Sequence, residues 1–287
     1  MSSAAVPADS VTFCADLVRS HDFPRYAASL FAPATERRAL LALYAFNVEI
    51  VRVRDQVSQP LPGEIRLQWW TDMLSGQVHG SAEGNPVAAE LLRGIRDFDL
   101  PVDPLSLLAD EHQFDLYNDP MPTLTALEGY LAATCSALFA LAARIMAPPS
   151  EAAEHLARHA GLAQGIVQII SSLPRDAAHR QLFLPQQLLT SHGCSMEDVF
   201  AGKESANLDA VLEQLIGEAQ QHLTTALSLL AEVPASARPA FLPLGQVRAD
   251  LKRLSQPGRH PFRPQPSSRL RTLWTLWRAS RSREFTK

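Results

Sequence analysis

Side chains that could do chemistry stand at helical spacing in three stretches of this chain. Leu41, Tyr44, Val48, Val51 and Asp55 follow one another at alternating intervals of three and four, so they share a helix face that Asp55 ends with a carboxylate. A lone acid at that place reaches solvent, pairs with a cation at the helix end, or serves a site. Further on, Gly161 and Gly165 share one face of a helix, and Gln164 and Gln168 share the adjacent one. Each glycine costs a helix about 1 kcal/mol relative to alanine, so another helix or a ligand must come close to that backbone. His155 and His159 have the spacing to grip one metal from a single helix face, but no cysteine or further histidine follows at ligand spacing nearby. A surface or core role is the simpler expectation for them.

The third stretch is cationic. Residues 236–287 carry twelve Lys/Arg against Asp250 and Glu284, so a tail of +10 sits on a body of -14. Such a tail meets an anionic membrane, a partner, or the acidic body of its own domain. Within it, arginines alternate with Leu270, Leu273, Trp274, Leu276 and Trp277 in the pattern of an amphipathic helix. That helix has three possible seats: anionic lipid, a groove in a partner, and the domain itself. No helix-turn-helix or RNA-binding signature accompanies the basic residues, so nucleic acid is not an expected partner. GxGxxG, Walker, GxSxG and HExxH motifs are all absent from the sequence, which removes the usual handles of four enzyme classes.

Elements to hold these residues are helical throughout. Apolar residues recur every three or four positions and alternating β-type runs are scarce, so the fold class is all-α. The spacing predicts helices over about 9–19, 34–57, 65–76, 86–98, 104–118, 123–146, 150–173, 205–232, 237–254 and 267–282. Proline and glycine punctuate them at Pro60–Gly63, Pro120–Pro122, Pro148–Pro149, Pro174 and Pro257–Pro266. Only the last of these breaks resembles a linker, so a single domain is expected, with material for a large core at 46% hydrophobic. Cys14, Cys135 and Cys194 are odd in number and widely spaced, which argues against disulfides or a zinc knuckle and for a reducing cytoplasm. Met1–Asp9 lacks the order of a secretory signal, and no unbroken run approaches 18 apolar residues.

Several segments together resemble a known family. Arg38-Ala39-Leu40-Leu41-Ala42-Leu43-Tyr44-Ala45-Phe46 is similar to the lead-in of the first signature of squalene and phytoene synthases. Gly161-Leu162-Ala163, followed by Leu182-Phe183-Leu184-Pro185, resembles their second signature, and Asp110 with Asp115-Leu116 resembles a conserved acidic segment between the two. The likeness runs from about residue 20 to 255. It implies a single helical bundle of the isoprenoid-synthase type around a central cavity, with residues 1–19 as an extension and 256–287 as a basic tail. Asn47-Val48-Glu49, Gln68-Trp69-Trp70, the run from Ala163 to Val167 and Pro239-Ala240-Phe241-Leu242 look like the branch that includes the mitochondrial complex I assembly factor.

The resemblance also sets the chemical expectation. Working members join two isoprenoid diphosphates, and Mg²⁺ held by aspartate clusters neutralises the leaving group. Where the family has its first cluster this chain reads Val51-Arg52-Val53-Arg54-Asp55, and where it has the second, Ser171 to Asp176, so one acid survives at each place, Asp55 and Asp176. The implied protein is a non-catalytic relative that helps to assemble respiratory NADH dehydrogenase, with complex I subunits as partners and a prenyl or lipid ligand in the cavity. No cofactor or catalytic residue is then expected, and the cavity is lined by Tyr44, Val48, Val51, Arg52, Gly161, Gln164, Gly165, Gln168 and Ser172. In the alternative, an active head-to-head prenyltransferase, Asp55, Asp110, Asp115 and Asp176 hold Mg²⁺. Either protein is expected in the cytoplasm, with peripheral contact to the inner membrane through the Trp274/Trp277 helix.

Overall fold

The computed structural model describes residues 8–77, 84–263 and 268–286, and every regular element among them is helical. The sequence expectations for residues 1–7 and for the part of the tail break at 264–267 lie outside this range. After α1 (Ala8–His21), Asp22 caps α2 (Phe23–Ser29) by accepting from the Arg25 backbone N–H at 3.2 Å. α3 (Ala34–Val51) is buried at every position from Ala39 to Phe46, as befits a central helix. At its start the Arg38 guanidinium grips buried Glu90 through two bonds of 2.6 and 2.7 Å, tying α3 to α6 (Pro86–Phe98).

The helix expected over 34–57 is two helices. Its chain turns at Arg52, whose carbonyl accepts from Asp55 three residues on, and resumes as α4 (Val53–Gln56). α5 (Pro60–Leu74) begins five residues before the expected 65, because Pro60 and Pro62 sit in a first turn that needs no N–H donors. It packs on α7 (Val102–Glu111), after which a 3₁₀ turn, Phe114–Leu116, replaces the expected continuation to 118.

A long rod spans Leu124–Met146: α8 (Leu124–Leu131), a π turn at Ala132–Ser136, and α9 (Ala137–Met146). Its length and composition would suffice to cross a membrane, yet Leu127, Leu131, Leu138, Leu141 and Ala142 are buried in the protein core. The rod packs against α10 (Glu151–Ala178), which Ser150 caps by accepting from Ala153 N–H at 3.2 Å. Pro174, an expected break, lies inside α10. Burial of the apolar side chains of Leu173 and Ala177, on either side of it, helps to offset the roughly 3 kcal/mol that an interior proline costs.

The short helices α11 (Gln186–Ser191) and α12 (Met196–Phe200) lead to α13 (Ala206–Leu229), which lies along α10. A 3₁₀ turn at Arg238–Phe241 then precedes α14 (Pro243–Leu254). Phe241 stacks on Phe139 at 5.8 Å, and Phe46 meets Trp70 edge-on at 5.2 Å, so one aromatic member of the Trp69-Trp70 pair is core. The tail ends in α15 (Arg269–Ser280) and α16 (Arg283–Thr286). α15 divides its faces: Thr272 and Leu276 are buried against the domain, with Ala279 close over Gly245, while Leu270 and Trp274 are 80% and 58% exposed.

Candidate functional site

A cavity of about 910 Å³ opens among α2, α3, α4, the π turn and the last turns of α10, a volume in the range of small-molecule sites. Val48, Leu131, Leu138 and Ile169 give it an apolar floor, whereas Arg52, Arg54 and Arg175 bring three guanidinium groups to its walls. Arg54 reaches Asn118 at 3.4 Å through Nη2, and its buried Nε has no acceptor among the described residues.

Four carboxylates also line it, and each has a different state. Asp55 is exposed at the entrance. Asp22 is paired with the buried Arg25 at 2.7 Å; Arg25 in turn donates to Gln164 at 2.9 Å and lies over the Tyr44 ring. Asp176 is only 4% exposed: Arg175 donates to one oxygen at 3.1 and 3.2 Å and the Ser172 hydroxyl donates to the other. Burial pushes its carboxyl above the usual range, against the pull of Ser172 and Arg175. Asp115 accepts from the Tyr130 hydroxyl at 2.9 Å, and its second oxygen stands 4.0 Å from His112 Nε2. Burial raises this carboxyl too, and the charge of nearby Asp176 adds to the rise while His112 and Tyr130 oppose it.

The structure brings together some of the residues read from the sequence and separates others. Val48, Val51, Arg52, Gly165, Gln168 and Ser172 line the cavity, as do Asp55, Asp115 and Asp176. Tyr44 stands behind the wall as a face for Arg25, and Gln164 holds Arg25 from the same side. Gly161 is a packing position: a Cβ there would overlap the backbone N and Cα of Ser136, so it admits the π turn and no ligand. Gly165 does both, lining the cavity while giving way to the Leu131 side chain. Asp110 is exposed and outside the cavity, because α7 ends one residue later and the 3₁₀ turn re-aims the chain before Asp115.

Sequence reading misses Asp22, Arg25, His112, Tyr130, Thr134 and Cys135, all of which line the cavity. Only the spacing of three between Asp22 and Arg25, and between His112 and Asp115, offered a local signal. Phe183 reaches the site because the loop before Pro185 pairs with residues 115–121: Met121 N–H donates to the Leu182 carbonyl at 3.0 Å, and the Gln181 side chain donates to the Asp115 carbonyl at 3.1 Å. His159 meets His222 of α13 with 2.8 Å between their Nδ1 atoms, away from the cavity.

These donors do not fit a magnesium cluster. Mg²⁺ demands near-octahedral oxygen ligands at about 2.1 Å. Among the described residues no group of three or more His, Cys, Asp or Glu side chains is placed to hold a metal ion, and both Asp176 oxygens already accept hydrogen bonds. What the cavity offers instead is cationic hydrogen-bond donors above an apolar floor, which suits an anionic amphiphile.

Comparison with known proteins gives the family and the fold. The squalene/phytoene synthase family matches over residues 18–278. NADH dehydrogenase (ubiquinone) complex I, assembly factor 6 of Rattus norvegicus is 33% identical over 256 residues, covering 89% of this chain and 77% of that protein. Among solved structures, a dehydrosqualene synthase superposes with a TM-score of 0.78 at 17% identity, covering 95% of both chains. Squalene synthase HpnC from Alicyclobacillus acidocaldarius gives 0.74 at 20%, covering 91% of this chain and 98% of that one. At such identities these two show the fold alone, an isoprenoid-synthase bundle. The chain belongs to the squalene/phytoene synthase family.

Proposed function

We propose that this protein is a family member without synthase chemistry, that it acts in the assembly of respiratory complex I, and that its first cavity binds a prenyl or other lipid ligand. The observation that carries the reading is the state of the inward carboxylates. Asp176 and Asp115 are buried and engaged by neighbouring donors, and Arg52, Arg54 and Arg175 stand where a metal cluster would need acids. Synthase chemistry asks a metal cluster for several kcal/mol of transition-state stabilisation, and each 1.4 kcal/mol or so lost is a factor of ten in rate. Arginines bind a phosphate head without metal.

The assembly role is supported by the likeness to assembly factor 6 over most of both chains, and it makes complex I subunits or intermediates the partners. A cytoplasmic location with peripheral contact to the inner membrane follows from the same role and from the outer face of α15. Deleting the gene in its host and measuring mature complex I on native gels is the test. A marked fall supports the role, and wild-type levels sink it. Incubating the purified protein with Mg²⁺ and farnesyl or geranylgeranyl diphosphate tests the loss of synthase chemistry. Turnover that Asp55→Ala abolishes would establish the active prenyltransferase instead.

A further inference from the structure

α5 and α7 pack side by side, and each keeps a stripe of side chains turned outward. On α5 the stripe is Leu61, Ile65, Gln68 and Asp72, at intervals of four, three and four. On α7 Leu107 has Asp103 four residues before it, and Asp110 and Glu111 three and four after. The 3₁₀ turn after α7 extends the same surface: Leu116 closes on Gly63, where a Cβ would overlap it, and the Tyr117 hydroxyl donates to Glu64. Leu61 and Ile65 are 65% and 62% exposed, Leu107 and Tyr117 49% and 43%. None of the four lines the first cavity or the smaller one, of about 700 Å³, between α2, α10 and α13. Single apolar side chains on a surface need no explanation, but several on adjoining elements form a patch of the kind that marks an interaction site.

The charge around this patch is of one sign. Besides buried Asp115, residues 60–74 and 102–119 hold six acids, Glu64, Asp72, Asp103, Asp110, Glu111 and Asp119, against one arginine and no lysine. That arginine, Arg66, is bound to the Gln56 side chain. No Lys, Arg or His nitrogen of the described residues lies within 4.0 Å of the carboxylates of Asp103, Asp110, Glu111 and Asp119. Such a rim repels anionic lipid and nucleic acid, which excludes both as occupants. It attracts a cationic protein segment, and a pair of side-by-side helices is a surface onto which a third, amphipathic helix lays its apolar face. The outer face of α15 has the opposite sign, so the two exposed apolar faces of the molecule select different partners.

We propose that the α5/α7 face docks a cationic amphipathic helix of a partner protein, with the partner's apolar side chains on Leu61, Ile65 and Leu107 and its lysines or arginines on Asp103, Asp110 and Glu111. That the partner is a complex I subunit or assembly intermediate rests on the proposed assembly role; the surface itself does not. The full chain is titrated into a fluorescein-labelled helical peptide of leucine, lysine and arginine with one apolar face, read by anisotropy. A peptide with glutamate in place of the basic residues, and one of the same composition scrambled to scatter the apolar face, serve as comparison probes. The cationic amphipathic peptide is expected to bind tenfold or more tighter than both, and less tightly as salt rises.

Leu61→Ser with Ile65→Ser, and separately Asp103→Asn with Asp110→Asn, are each expected to weaken that binding by about tenfold. All four positions are exposed, so the fold should stand, and circular dichroism checks it. Glu213→Gln with Glu232→Gln, exposed acids in and beyond α13, should leave binding unchanged. Three outcomes overturn the proposal: no binding, equal binding of either comparison peptide, or a loss that follows the Glu213 and Glu232 substitutions instead. In a host lacking the gene, the wild-type chain should restore mature complex I, and the chain with Leu61→Ser and Ile65→Ser, at equal abundance, should not. Restoration by both overturns the surface and leaves the assembly role standing, whereas intact complex I in the deletion host sinks the assembly role and leaves the surface to the titration.

Discussion

Alanine at Gly161 should unfold this protein more easily, although helix propensity alone says the reverse. Gly161, Gly165 and Gly217 all lie inside long helices, α10 and α13, so each substitution gains about 1 kcal/mol from propensity and from a less mobile unfolded chain. Their surroundings then separate them. A Cβ at Gly161 overlaps backbone atoms of Ser136, far inside the 3.5–4.0 Å or so of ordinary contact, and a backbone segment moves only with its whole helix. Overpacking of that kind costs about 1–3 kcal/mol, and here the upper end applies, for a net loss of about 2 kcal/mol. At Gly165 the obstacle is the Leu131 side chain, which can rotate away, so gain and loss should nearly cancel. At Gly217 nothing lies within 4 Å, and the gain of about 1 kcal/mol should appear in full. Urea titration reads the series as midpoint shifts at constant slope, with about 3 kcal/mol between Gly217→Ala and Gly161→Ala. If Gly161→Ala proves as stable as Gly217→Ala, the close approach of α10 to the π turn is refuted, and with it the assignment of Gly161 to packing.

Three further expectations concern charge. Burial raises the Asp176 carboxyl above 3.8 in the folded state, so the fold holds a proton that the unfolded chain has released, and stability falls as pH climbs from 3.8. Asp176→Asn should therefore raise the melting temperature at neutral pH and flatten that decline; an unchanged curve would contradict the buried charge. His159 and His222 are held below 6.5, first by burial and, for His159, by the adjacent imidazoles; His155, Arg158, Glu128 and Glu218 are the other charged or titratable groups acting on the pair. The unfolded chain then takes up protons that the fold refuses, so stability should drop as pH falls below 6.5, and His222→Gln should lessen the drop in melts across that range. Finally, the outer face of α15 should bind vesicles containing anionic lipid, less so as salt rises, and lose that binding on Trp274→Ser with Trp277→Ser; binding that survives truncation before Arg269 counts against it.

The all-helical class is legible from residue spacing, because a helix is a local object whose period of 3.6 is written in near neighbours, whereas the break at Arg52 that puts Asp55 on a separate short helix from Val48 and Val51 is not. The demand that something approach Gly161 and Gly165 is legible too. Which partner comes there is not local: Ser136 of the π turn closes on Gly161 and Leu131 of α8 closes on Gly165, both from a rod that precedes α10. Distance along the chain hides the rest of the site in the same way. His222 joins His159 from 63 residues away, and Arg25 reaches Gln164 across 139. Asp110 and Asp115 are near neighbours in sequence, yet one faces solvent and the other faces Asp176, because α7 ends between them. Burial and pairing of charge depend on how backbones pack. Packing is decided by volumes meeting from distant segments, and these leave no periodic trace in the order of residues.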